Sequence, residues 1–168
     1  MNEIDEEKVR NWALTFSDII STKLKTNISF KNFKSEEVIY NEFIQKNTQG
    51  KWISLCEEND KQQPLIITID YTSIIASTNN FFSSLTSVEE QDTSKLSFTE
   101  TFIAKEVSNE IVQSFLDNNL NVNFIRNEPE LSLVHPFHED ESITVYTYDW
   151  SIGNEQFGAL NLCHSHVL

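Results

Sequence analysis

Between residues 5 and 24 the apolar positions Val9, Trp12, Ala13, Phe16, Ile19, Ile20 and Leu24 recur at steps of three and four, the period of a helix with one face against a sheet. The next stretch, NISFKNF, reads as a strand. SEEVIYNEFIQ then predicts a short helix, with Ser35 as the residue whose hydroxyl caps its first free N–H groups. KWISLCEE and PLIITID predict a hairpin, NDKQQ supplying the turn and Pro64 marking the start of the second strand. In YTSIIASTNNFF, Ile74, Ile75, Phe81 and Phe82 fall at helical positions, which predicts a helix crossing back over the sheet.

Residues 83–96 are polar and uneven, and read as a linker within one domain spanning 1–168. The pattern then restarts. Ser97 and Glu100 stand in the S-x-x-E relation that satisfies two helix N–H groups reciprocally, predicting a second long helix to about Asp117. Three strands follow: NVNFIRNEPELSLV, ESITVYTYDW and EQFGALNLC. Each half (5–83 and 97–168) thus runs helix first, then mostly antiparallel strands, which predicts an α/β fold with a pseudo-symmetric sheet covered by helices.

Charge narrows the function classes. With 26 acids against twelve basic residues the chain carries −14, which repels phosphate backbones, so nucleic acid is not an expected partner. The exception is KLKTNISFKNFK, where Lys23, Lys25, Lys31 and Lys34 fall within twelve residues and present a surface for an acidic partner or a solvated rim. The three glycines, Gly50, Gly153 and Gly158, cannot build GxGxxG or GxxxxGK, and no GxSxG elbow exists. No apolar run is long enough to span a bilayer and the N-terminus is acidic, so a cytoplasmic location without membrane insertion is expected. Cys56 and Cys163 are expected as free buried thiols.

Several short motifs, in order, resemble the middle domain of the flagellar motor switch protein FliM. NEPELSLVHPF is similar to that family's N-P, strand and second proline, and IGNEQFGALNLC to its I-G-D, G and N-x-C. YNEFI resembles its Y-x-E-F-I, and LSFTETF the F-T that opens its second long helix. The resemblance runs from about Val9 to Cys163. It implies an α/β/α sandwich with pseudo-twofold symmetry, acting as a scaffold in the cytoplasmic switch ring and not as an enzyme. It also implies partners: a FliG-like switch protein, neighbouring FliM-like subunits and, as a further candidate, a CheY-like response regulator. A related type III secretion ring is a variant of this reading, and no cofactor is implied.

Three departures accompany the resemblance. The family's G-G-x-G loop, which contacts FliG, corresponds here to Ser83, Ser84, Leu85 and Thr86 after Phe82; residues that avoid positive φ have replaced glycines, so the loop is expected to follow another path. The acidic start lacks the family's CheY-capturing motif. The chain stops at CHSHVL, where the family continues into a FliN-like domain, which is expected to be absent.

Within the second long helix, Phe102, Ile103, Val107, Ile111 and Phe115 are expected to form the buried stripe, leaving Glu106, Asn109, Glu110 and Gln113 on the opposite face. Glu106 and Asn109 have the E-x-x-N spacing of CheC and CheX phosphatases, similar in fold to the FliM middle domain. In those enzymes the amide positions an attacking water and the carboxylate holds the partner's lysine. An ordinary polar helix face is the preferred reading, with this pair the catalytic alternative. His135, His138, Cys163, His164 and His166 have spacings that zinc sites use. Alternation along a strand, however, sends Cys163 to the face opposite His164 and His166, so no metal site is expected. Tyr146, Tyr148 and Trp150 read as one face of a sheet.

Overall fold

The computed structural model describes residues 5–59, 62–82 and 92–165. Helix α1 (Glu6–Leu24) starts where the Asp5 carboxylate accepts from the Lys8 amide at 2.8 Å, and ends at Lys25 in the left-handed conformation. It buries Val9, Trp12, Ala13, Phe16, Ile20 and Leu24, the predicted stripe with Ile19 at its margin. Ser17 and Ser21 donate to the Ile28 carbonyl at 2.7 and 2.9 Å, so the chain turns directly from α1 into strand β1 (Ile28–Ile39).

Here the structure corrects the sequence reading. Ser35 caps no helix: it lies within β1, opposite Tyr146 of strand β5 (Ser142–Ile152). β1 stays extended to Ile39 because it pairs with β5 from Lys34 opposite Thr147 to Ile39 opposite Ser142. Its polar Ser35–Glu37 run remains in solvent because β1 ends the sheet. Helix α2 (Tyr40–Lys46) follows without a side-chain cap. The amides of Tyr40 and Asn41 donate instead to the Glu141 and Glu139 carbonyls, both at 2.9 Å, satisfying the free N–H groups of its first turn.

Strands β2 (Lys51–Glu58) and β3 (Gln63–Asp70) form the predicted hairpin, and α3 (Tyr71–Phe81) crosses back. Helix α4 (Phe98–Asp117) opens with the predicted capping box: Glu100 N–H donates to Ser97 Oγ at 3.2 Å, and Ser97 N–H to Glu100 Oε1 at 2.8 Å. The strand expected to run to Val134 is shorter. Strand β4 (Val122–Glu128) stops before Pro129, which lacks a ladder N–H, and a single 3₁₀ turn at Leu131–Leu133 replaces its second half. Strands β5 and β6 (Glu155–Ser165) close the described chain.

All pairings described are antiparallel, in one six-stranded sheet of order β1-β5-β6-β3-β2-β4. From either end the order gives a first strand of one half, then the second and third of the other, so exchanging halves reproduces the sheet. This is the expected pseudo-twofold, and each half lends its first strand to the other.

One sheet face packs against α1, α3 and α4, with Trp12, Phe16, Ile67, Ile111, Phe115 and Trp150 in its core. The other face is covered by α2 and the 3₁₀ segment through Tyr40, Phe43, Leu131, Val134 and Phe137. The Tyr40 hydroxyl donates to the buried Val134 carbonyl at 2.6 Å, tying those two covers together. Each of the three tryptophans donates its indole N–H to a helical serine: Trp12 to Ser114 at 2.7 Å, Trp52 to Ser108 at 2.7 Å and Trp150 to Ser77 at 3.1 Å. Small hydroxyl residues let the ring edges approach the helices closely, while supplying the acceptor a buried indole needs. Tyr146, Tyr148 and Trp150 lie together on this packed face, as their alternation predicts.

Candidate functional site

The candidate surface starts from α4. Ile103, Val107, Ile111 and Phe115 are buried against the sheet as the spacing predicts. Phe102 is not part of that stripe: it is 58% exposed, one residue and about 100° around the helix from Ile103. Phe98, one turn earlier, is 91% exposed. Phe82, at the C-cap of α3, is 57% exposed and meets Phe81 edge-on at 4.8 Å. Three exposed phenylalanines therefore stand on the two helices that residues 83–97 connect. Ser83, Ser84, Leu85 and Thr86, the loop singled out in the sequence, lie outside the described residues.

The exposed Phe98 and Phe102 are the feature sequence reasoning missed. Their four-residue spacing was visible, but Phe102 beside Ile103 reads as either edge of one stripe. Only the packing of α4 against α1 and β2 decides that Ile103 faces inward.

Along the same helix, Glu106 and Glu110 both reach Lys23 of α1, at 3.3 and 2.6 Å. The hydrogen bond to Glu110 is the leading cause that raises the Lys23 ammonium pKa, with Glu106 adding to it and burial opposing both. Asn109 is exposed on the same surface. The structure thus brings Glu106 and Asn109 side by side on a rigid helix, with Glu106 already engaged by a lysine of its own chain.

The described histidines do not assemble with the thiol. His135 and His138 are exposed in the segment between the 3₁₀ turn and β5, and His166 lies outside the described residues. Cys163 is buried on the α2 face, whereas the His164 ring lies 5.3 Å from that of Tyr146, which belongs to the opposite face. Among the described residues, no three His, Cys, Asp or Glu side chains are grouped to hold a metal. Cys56 and Cys163 are free, on opposite faces. Burial pushes the Cys56 thiol up to about 12 and raises that of Cys163 as well, so neither supplies a thiolate near neutrality. Among the described residues no helix is long and apolar enough to cross a membrane.

No family model matches the chain, and no curated protein matches it. Solved structures do. The FliM middle domain from Vibrio alginolyticus superposes with a TM-score of 0.81 at 10% identity, covering 95% of this chain and 91% of that one. FliM in the FliG–FliM complex from H. pylori gives 0.78 at 12% identity over 96% and 94%. The chemotaxis protein CheX from Vibrio vulnificus gives 0.55 at 10% identity over 98% and 99%. The chain therefore has the FliM middle domain and CheC-like fold, and the motif resemblance read from its sequence holds at the level of fold.

Proposed function

We propose that the protein is a switch-ring scaffold of the FliM middle-domain type, which binds a FliG-like partner and neighbouring subunits and so contributes to rotor assembly and chemotactic switching. Its place would be the cytoplasmic face of the inner membrane, within a flagellar basal body. The observation that carries this reading is the trio Phe82, Phe98 and Phe102, exposed on both sides of the segment that corresponds to the family's partner-binding loop. Exposed aromatic side chains at such density favour association over solvation. A FliM of this fold is found in a complex with FliG, which supports the choice of partner.

Titration calorimetry with the FliG middle domain of the same organism tests the reading. Micromolar or tighter binding is expected, weakened at least about tenfold by Phe98→Ser with Phe102→Ser. Undetectable binding by the folded wild-type chain sinks it. A second reading, a CheX-like phosphatase of a phospho-aspartyl response regulator, draws on the CheX likeness and on the adjacency of Glu106 and Asn109. Glu106→Ala with Asn109→Ala leaves FliG binding unchanged under the first reading and abolishes dephosphorylation under the second.

A further inference from the structure

Helix α4 carries a second ordered face besides the one it buries. Phe98, Phe102, Lys105, Asn109, Val112 and Leu116 follow one another at steps of four, three, four, three and four, the repeat of a helix that pairs with another helix. At about 100° of rotation per residue this stripe lies opposite Ile103, Val107, Ile111 and Phe115, along the middle of the outward face. Phe98, Phe102 and Leu116 are 91%, 58% and 49% exposed, Lys105 and Asn109 are exposed, and Val112 is half-buried at the margin. The outward positions of a helix that meets only solvent there are ordinarily polar. Helix α1, which opens the other half and takes the equivalent place under the pseudo-twofold, follows that rule, with Leu14 its one exposed large apolar residue. The apolar seam is therefore a property of α4 and not of the architecture.

The six positions are also symmetric about Val107, apolar at both ends and polar at the two in the middle. When two copies of α4 pair antiparallel about that point, Phe98 meets Leu116, Phe102 meets Val112, and Lys105 meets Asn109, whose amide oxygen accepts from the ammonium. Each contact is then made twice with the roles exchanged, as a closed twofold interface requires. A parallel pair instead sets each Lys105 against its own copy, a like-charge contact that works against it. The helix ends favour the same direction. α4 has no basic residue in its last turn and finishes at the exposed Asp117, which opposes its own dipole. Antiparallel pairing lays that carboxylate beside the first turn of the facing helix, where negative charge is stabilised.

We propose that the outward face of α4 is the contact of a twofold dimer of this chain, formed by antiparallel pairing of the seam from Phe98 to Leu116. It shares Phe98 and Phe102 with the partner surface proposed above without resting on that reading, and the two contacts exclude one another. A phenylalanine side chain presents roughly 200 Å², so at their exposures Phe98 and Phe102 offer roughly 300 Å² per copy, against about 800 Å² per partner in a standard interface. The dimer is accordingly weak and reversible. Each copy carries −14, so the copies repel at long range and salt strengthens their association by screening.

Sedimentation equilibrium of the full chain tests this, with a dissociation constant expected at about 10–500 µM that falls as salt rises from about 0.05 to 0.5 M. Leu116→Lys is expected to weaken association at least about tenfold. Its side chain is exposed, so the fold is kept, which circular dichroism verifies. The variant leaves Phe98 and Phe102 in place, so loss of the dimer is read separately from loss of FliG binding. Direction is read by cross-linking: Phe98→Cys chains mixed with Leu116→Cys chains under a mild oxidant are expected to join to each other, and either chain alone far less. Cys56 and Cys163 are buried and do not compete. A wild-type chain that stays monomeric at about 1 mM overturns the proposal. So does association that Leu116→Lys leaves unchanged, which places the contact elsewhere. Phe98→Cys chains that join one another as readily as they join Leu116→Cys chains mark a parallel pair and overturn it too.

Discussion

Gly158 shows how a single residue fixes the meeting of two elements. It lies in β6 at φ +82°, and a Cβ there would stand 2.6 Å from Asp70 Cβ and 2.7 Å from Thr72 Oγ1. The crowding is functional to the fold: the Asp70 carboxylate accepts from the Ala159 amide at 3.0 Å and pairs with Lys51, and Ser73 donates to the Phe157 carbonyl. Backbone, not side chain, must therefore pass the start of α3. Gly158→Ala combines a disfavoured φ with a clash against a hydrogen-bonded carboxylate, and is expected to destabilise by roughly 2–4 kcal/mol. A urea unfolding midpoint unchanged from wild type would show that α3 can simply move aside. Gly153, also at positive φ but with open space around its Cβ position, is the comparison: Gly153→Ala suffers the φ cost of roughly 1 kcal/mol without the clash.

At the scale of elements, α1 and α4 are held by packing and by one buried polar contact, Trp12 Nε1 to Ser114 Oγ at 2.7 Å, with Trp12 stacked against Phe115 at 4.8 Å. The Ser114 hydroxyl proton goes to the Ile111 carbonyl at 2.8 Å, leaving its lone pair for the indole. A double-mutant cycle of Trp12→Phe and Ser114→Ala is expected to give a coupling of about 0.5–1.5 kcal/mol. Additive losses would mean that the indole contact contributes nothing beyond shape. Both helices were legible in the sequence because their period is long and, for α4, because the cap of Ser97 with Glu100 is local chemistry; the Asp5 cap of α1 emerged only in the structure. The boundary between β1 and α2 was not. SEEVIYNEFIQ satisfies a helical pattern as well as an extended one, and what holds Ser35–Ile39 extended is the β5 ladder more than one hundred residues away. The same holds for the site: Glu106 and Asn109 could be placed on one face from spacing alone, but the engagement of Glu106 by Lys23 depends on how α1 crosses α4.

For the whole molecule, the sheet order has a consequence that neither half carries alone. Among the described residues β1 hydrogen-bonds only to β5, and β4 only to β2, so the first strand of each half finds its ladder in the other, while β3 and β6 join the halves at the centre. Residues 1–82 on their own retain the β2–β3 hairpin, but β1 and the apolar faces of α1 and α3 lose their partners. Residues 92–168 retain β5 and β6, with β4 stranded beyond a missing β2. A two-stranded ribbon is marginal in water, and the aromatic cluster of Phe16, Phe30, Tyr148 and Trp150 is assembled from both halves. The two fragments are therefore expected to be unfolded separately by circular dichroism and amide dispersion, and to recover the spectrum of the intact chain when refolded together. A fragment that folds cooperatively by itself would overturn the single-domain reading. Fragments that fail to recombine would show that the 83–91 connection does more than join the halves, since chain linkage alone contributes an effective concentration that millimolar mixing approaches.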